Sequence, residues 1–312
     1  MKRVALKVPP RIVCTGMNGQ RVEYVLGDRI GKGSFGSVYA LQDTSKHRCI
    51  KLEQAAEEQP SFLAMEYRVY AAVHEVTKST HFPRVYDYGF CSNTHFLVLD
   101  QGGKPLEHIA KELARNRWLF LHCLCLCIEA VRDIHAAGFL HRDIKPSNIL
   151  YDAQTDRIMF IDMGFAKRFR TGPFDLHILD QNKKTLTGTL DFASQHILNG
   201  RENSRRCDLE SLVYTFGYIW NNKTLPWSGL VDRRLKERPT DNGLPSVEIV
   251  RELGKLKKEL SVTDIVGHTA PRCLALILQM TRATKFADAP AYNHMLRLVK
   301  QEMNEMEDNS LP

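Results

Sequence analysis

His141-Arg142-Asp143-Ile144-Lys145-Pro146-Ser147-Asn148, followed after a short polar hairpin by Ile158-Met159-Phe160-Ile161-Asp162-Met163-Gly164, is the stretch on which the reading of this chain turns. Transfer of a phosphoryl group needs a carboxylate to orient the attacking hydroxyl and accept its proton. It also needs oxygen ligands for the Mg²⁺ that bridges the phosphates. Asp143 suits the first task, Asn148 and Asp162 suit the second as metal ligands, and Lys145 can balance charge on the group in flight.

Working upstream, Gly31-Lys32-Gly33-Ser34-Phe35-Gly36-Ser37-Val38 lies between two expected strands. Glycines there let backbone amides approach phosphate oxygens, and Val38 can cover a flat base. Alone, the pattern is also that of a plain hairpin turn. A Rossmann fingerprint is excluded, because that loop leads into a helix and this one leads into a strand. Next comes Cys49-Ile50-Lys51-Leu52, a lysine among strand residues, and then Glu66 in an expected helix. A strand cation beside a helix carboxylate makes an ion pair that can hold the lysine against the α- and β-phosphates of a nucleotide. Taken singly, the two would read as solvated surface charges.

The spacing predicts strands over 24–30, 37–41, 48–52, 85–90 and 95–100, with one helix starting near Pro60 and Ser61 and facing inward through Phe62, Met65, Val69 and Val73. Past Gln101-Gly102-Gly103 the pattern turns helical, over 118–137, 205–221, 246–260, 272–284 and 290–307, which places a hinge at 100–103. Residues 1–21 read as a loosely held basic arm, 22–99 and 104–302 as a small and a large lobe, and 303–312 as a tail. The long irregular stretch 163–204 has the length of a functional loop.

At 312 residues the chain can bury a substantial core as one large domain or two lobes. Hydrophobic residues at 43% and charged residues at 25% exclude disordered, collagenous and coiled-coil classes. No apolar run reaches the length of a membrane span and no signal peptide is expected, so no membrane partner is expected. Eight cysteines without a secretory start point to reduced thiols in a cytoplasmic or nuclear protein. Cys123, Cys125 and Cys127 suit helix packing better than a metal cage, and the histidines show no metal-ligand spacing. The net charge of +7 favours acidic partners, but the basic residues form no long tract, so no direct nucleic-acid partner is expected.

With these motifs in this order, the sequence resembles the protein kinase superfamily and, within it, the casein kinase 1 family. Leu186 to Ser194 looks like that family's replacement for the Ala-Pro-Glu element. Ser204-Arg205-Arg206, Leu225-Pro226-Trp227 and Phe286-Ala287-Asp288-Ala289-Pro290-Ala291-Tyr292 are similar to its later segments. The resemblance implies an α+β, two-lobed kinase fold with a small antiparallel-sheet lobe carrying one helix and a larger helical lobe. It implies a monomer that uses ATP and Mg²⁺ to phosphorylate Ser or Thr of acidic or phospho-primed protein substrates. ATP would meet Ile30, Gly31, Lys32, Gly33, Ser34, Phe35, Gly36, Ser37, Val38, Lys51, Glu66, Asp100 and Gly102, with Leu99 at the back of the pocket. Lys184 and Arg238 would carry a substrate anion site, although Gln181 stands where the family usually has an Arg. Asp208 resembles the residue that anchors the catalytic loop, and Trp227 and Tyr292 read as core. The sister vaccinia-related kinases typically have Gly where this chain has Arg142. A catalytically weak scaffold is the other alternative, against which Lys51, Asp143, Asn148 and Asp162 are all present.

Overall fold

The computed structural model describes residues 11–32, 36–42, 47–55, 61–172, 175–182, 185–231 and 246–308. Six strands open the chain: β1 (Arg11–Thr15), β2 (Arg21–Lys32), β3 (Ser37–Leu41), β4 (Arg48–Gln54), β5 (Val85–Cys91) and β6 (Thr94–Asp100). They form one antiparallel sheet in the order β1-β2-β3-β4-β6-β5, and helix α1 (Phe62–Thr77) packs on one face. β4 therefore lies inside the sheet, and its alternation divides the lobe. Ile50 and Leu52 join Cys14, Tyr24, Leu26, Phe96 and Val98 on the outer face, while Cys49 belongs with the core under α1. Lys51 and Glu53 share the Cys49 side, so both charges point toward the helix and the cleft.

The expected arm over 1–21 does not hold for Arg11–Thr15, which pair with β2 from Arg11 opposite Val25 to Thr15 opposite Arg21. Alternation explains the strand. Cys14 is buried against the outer cluster and Ile12 packs beside it. The turn that follows is tied down by Asp87, which accepts from Met17 N at 2.7 Å and Tyr24 Oη at 2.6 Å.

α1 starts at Ser61, whose side chain accepts from Ala64 N. The Glu53 carboxylate accepts from Ser61 Oγ, Phe62 N and Leu63 N at 2.8, 3.1 and 2.9 Å, so a strand residue caps the helix. The buried face runs through Leu63, Glu66, Val69, Tyr70 and Val73, rotated from the expected Phe62 and Met65, because Glu66 turns inward to meet Lys51.

Past the hinge come β7 (Lys104–Pro105), α2 (Leu106–Arg115), α3 (Arg117–Ala136), β8 (Phe139–Leu140), β9 (Ile149–Asp152) and β10 (Arg157–Phe160). Then follow α4 (Gln195–Leu198), α5 (Arg205–Trp220), α6 (Val247–Glu259), α7 (Val262–Val266), α8 (Arg272–Ala283) and α9 (Tyr292–Asp308). α2 and α7 were not expected from the spacing. The domain was also expected to end at 302, whereas α9 runs on to Asp308. α3 is the centre of this lobe, with Phe120, Leu121, Leu124, Ile128, Val131 and Ile134 fully buried. Cys123, Cys125 and Cys127 are also buried in it, and no group of three or more His, Cys, Asp or Glu side chains placed to hold a metal occurs among the described residues. Among its described residues the stretch 163–204 holds only two-residue strands, one short 3₁₀ turn and α4. Among the described residues no helix is long and apolar enough to cross a membrane.

Candidate active site

The cleft between the lobes has a volume of about 430 Å³. That is the size of a small-molecule site. Its roof is Ile30, Gly31, Lys32 and Val38 from the β2–β3 hairpin, and its back is Cys49, Lys51, Glu66, Pro83 and Leu99. Its edge is Asp100 to Gly103, and its floor is Lys145, Ser147, Asn148, Leu150, Ile161 and Asp162. A larger depression of about 850 Å³ lies behind the hinge, lined by His74, Lys78, Arg84 and Arg157 among others, but it holds none of the acid–base or metal-ligand candidates.

Register delivers the upper residues. Val38 pairs with Lys51 and Gly31 with Val38, so the glycine-rich hairpin overhangs the lysine. A Cβ on Gly36 would sit 1.9 Å from Leu52 O, so only glycine lets β3 start this close to β4. Gly33, Ser34 and Phe35 lie outside the described residues, as do Lys184 and Arg238. The hinge is equally tight: a Cβ on Gly103 would meet Tyr151 O at 2.1 Å, and one on Gly102 would meet Leu150 Cδ1 at 2.5 Å. The Asp100 carboxylate accepts from Arg84 N and Tyr86 Oη at 3.0 and 2.8 Å, so the hinge contributes its backbone to the cleft more than this side chain.

Lys51 Nζ lies 2.7 Å from Glu66 Oε2 and 3.0 Å from Asp162 Oδ1. Burial opposes charge on the lysine, but the two carboxylates more than offset it and push its pKa upward. Burial likewise works against ionised Asp162, and Lys51 outweighs it, so this carboxyl is held below its ordinary value. Asp162 stands at φ +65°, a left-handed conformation that turns its side chain into the cleft before the Met163–Phe165 turn. Met163 is fully buried in the core beneath α1.

Below, Asp143 sits in a network of short polar contacts. Its Oδ1 accepts from Thr189 N and Thr189 Oγ1 at 2.9 and 2.8 Å. Oδ2 lies 2.7 Å from Lys145 Nζ and 3.1 Å from Asn148 Nδ2. Asn148 Nδ2 also donates to Asp143 O, so the donor end of the amide is spent and its oxygen is left for a hard cation. Lys145 Nζ donates to Thr189 Oγ1 at 2.9 Å. Thr189 falls within the Leu186 to Ser194 segment, and nothing in its spacing tells that it touches Asp143.

The loop is shaped from behind. Arg142 stands at φ +71°. Asp208, 1% exposed, accepts from His141 N at 2.8 Å, Arg142 N at 2.9 Å and His135 Nε2 at 2.9 Å. His135 Nδ1 lies 2.6 Å from Tyr292 Oη, so a relay runs from the first residue of α9 to the catalytic loop. Tyr292, expected as plain core, has this second role, and His135 is a buried link in the chain.

A protein kinase domain model matches residues 24–286. A casein kinase I homolog of Encephalitozoon cuniculi strain GB-M1 is 34% identical over 220 residues, covering 68% of this chain and 70% of that protein. With a two-lobed fold and a cleft lined by a strand lysine, a helix glutamate and Asp162, and with Asp143 bonded to its floor residues Lys145 and Asn148, the chain belongs to the protein kinase family and, within it, to the casein kinase I branch.

Proposed function

We propose that the chain transfers the γ-phosphoryl group of ATP to Ser or Thr hydroxyls of protein substrates. The observation that carries this reading is a cleft in which Lys51 is already held by Glu66 and Asp162, with Asp143 joined to its floor through Lys145 and Asn148. In it the backbone of Asp100 to Gly102 takes the adenine edge, Val38 from the roof and Leu150 from the floor bracket the base with Leu99 behind it, and Lys51 holds the α- and β-phosphates. Asn148 Oδ1 and the Asp162 carboxylate would hold Mg²⁺, which when bound neutralises charge between the phosphates. Asp143 orients the incoming hydroxyl and takes its proton. Lys145, now on Asp143 and Thr189, would turn its charge to the γ-phosphoryl oxygens.

The preferred acceptors lie beside acidic or phosphorylated residues, a reading supported by the net charge of +7 and by the family. Its expected carriers, Lys184 and Arg238, fall outside the described residues. The eight cysteines are all free, which supports a reducing compartment such as the cytoplasm or nucleus.

Transfer from radiolabelled ATP to casein tests the reading. Asp143→Ala and Asp162→Ala should each lower kcat by roughly three or more orders of magnitude without changing the circular dichroism spectrum. More than about a tenth of wild-type turnover in both variants would refute it.

A further inference from the structure

Lys257, in the last turns of α6, is fully buried in a fold that buries few other cations. Its Nζ donates to the backbone oxygens of Asp191 at 2.7 Å, Ala193 at 2.7 Å and Leu190 at 3.4 Å. The ring centroids of Trp227 and Tyr214 lie 4.2 and 4.6 Å from the same nitrogen. Three carbonyl oxygens match the three N–H bonds of an ammonium, while a neutral amine has only two. The aromatic faces add a preference for the cation. An apolar residue of the same length would pack as well against the rings but would leave those carbonyls without their donor.

The clamped residues continue directly into the catalytic network. Thr189, just before Leu190, makes its two hydrogen bonds to Asp143 Oδ1. Gly188 stands at φ +90°, where a Cβ would meet Arg142 O at 2.4 Å. Trp227 Nε1 donates to Asp191 O at 3.0 Å, a second donor on the same carbonyl. The segment from Gly188 to Ala193 is therefore pinned at one end on the catalytic aspartate and at the other on Lys257. We propose that Lys257 is a positioning residue for the phosphoacceptor chain: by holding the Leu190–Ala193 backbone it sets the surface beside Asp143 over which the substrate hydroxyl is delivered. This rests on the kinase reading of the cleft.

The lysine faces Asp191 from the loop, Glu210 and Tyr214 from α5, Trp227, and Arg282 from α8, which also donates to Lys257 O at 2.6 Å. Burial pulls the Lys257 pKa down to about 7, with Glu210 and Asp191 supporting the charge and Arg282 opposing it. The clamp is thus complete below that pH and loses a donor above it.

Steady-state kinetics on the full chain test the proposal. The acceptor is a serine peptide rich in Asp and Glu, free of His and phosphate, and the assays run from pH 6 to 9. In the wild type, peptide KM should rise several-fold across this range while ATP KM moves less than twofold. Lys257→Met should raise peptide KM about tenfold, make it independent of pH, and leave ATP KM and ATP hydrolysis by water near wild type. Should that variant fail to fold, Trp227→Phe, which removes the second donor to Asp191 O, should still raise peptide KM about threefold. A Lys257→Met enzyme with peptide KM within twofold of wild type overturns the proposal. So does a wild type in which the peptide and ATP KM values move together with pH. Wild-type protein that transfers nothing to any acceptor would instead overturn the kinase reading, and is told apart by absent label rather than a shifted KM.

Discussion

Replacing Asp208 with alanine should loosen the catalytic loop before it unfolds the protein, and the size of the effect follows from the hydrogen bonds it removes. The carboxylate accepts from two loop amides, His141 N and Arg142 N, and from His135 Nε2. Each buried donor left without a partner costs about 1–3 kcal/mol, and breaking such a charged, desolvated network costs about 3–5 kcal/mol in all. Set against a total stability of about 5–15 kcal/mol, the variant should fold but unfold at clearly lower urea. Arg142 at φ +71° stores strain worth about 1–3 kcal/mol, which only its surroundings hold in place. Without Asp208 that peptide relaxes and carries Asp143 with it, so kcat should fall at least about a hundredfold, the loss expected for a displacement of about 1 Å. Asp208→Asn keeps an acceptor for Arg142 N and should lose about half as much stability.

The pH dependence gives a second signature. Burial would raise the Asp208 carboxyl, but His135, His141 and the loop amides outweigh it and hold the pKa below its ordinary value. A carboxyl depressed on folding stabilises above its unfolded value near 4 and loses that contribution as pH falls through the folded value. The stability gap between wild type and Asp208→Ala, measured by urea unfolding, should therefore narrow below about pH 4. Unfolding within about 1 kcal/mol of wild type together with more than a tenth of its kcat would refute the account of this loop.

Gly188→Ala should cut transfer about tenfold or more with little change in ATP KM, because the added methyl cannot coexist with Arg142 O at that backbone angle; peptide and ATP kinetics check this. Lys51→Met should remove activity and cost about 3–5 kcal/mol in urea unfolding, since it leaves the Glu66 and Asp162 carboxylates facing each other's space without their cation. Phosphatase-treated enzyme should keep its activity, because Lys167 already has a carboxylate partner in buried Glu202 at 2.9 Å, with Arg142 attracted to the same charge; loss of activity on treatment would show that a phosphate is needed there.

The grouping of Asp143, Lys145, Asn148 and Asp162 was legible because they lie close in sequence, on one loop and the turn that follows β10. The lobes were legible too, because strand alternation gives way to helical periodicity at Gly102-Gly103. α2 was within reach, since Leu106, Ile109, Ala110 and Leu113 have helical spacing, but the polar residues between them and the adjoining hinge hid it. β1 was misread because Ile12 and Cys14 are too few to show a period, and their partner residues lie in β2 and β5. Thr189, His135 and Lys257 were missed for one shared reason. Each acts through a partner distant in sequence, 46 residues apart for Thr189 and Asp143 and 67 to 64 for Lys257 and its carbonyls, and no local pattern encodes such a pair. Among these, only a lysine amid buried helix positions left a trace, and in a surface-looking stretch such as Lys255 to Lys258 it reads as solvent charge.

The contact between Tyr292 and His135 has a consequence for how the chain can be cut and regulated. The brace behind the cleft is complete only once α9 is in place: the histidine that steadies Asp208 is itself steadied by a hydroxyl 157 residues away. Synthesis from the N-terminus therefore delivers every side chain that lines the cleft before the rear brace, which is missing until α9 emerges. Any protease that trims α9, or any partner that pries its first turn from α3, reaches the reacting carboxylate from the far side of the molecule without entering the cleft.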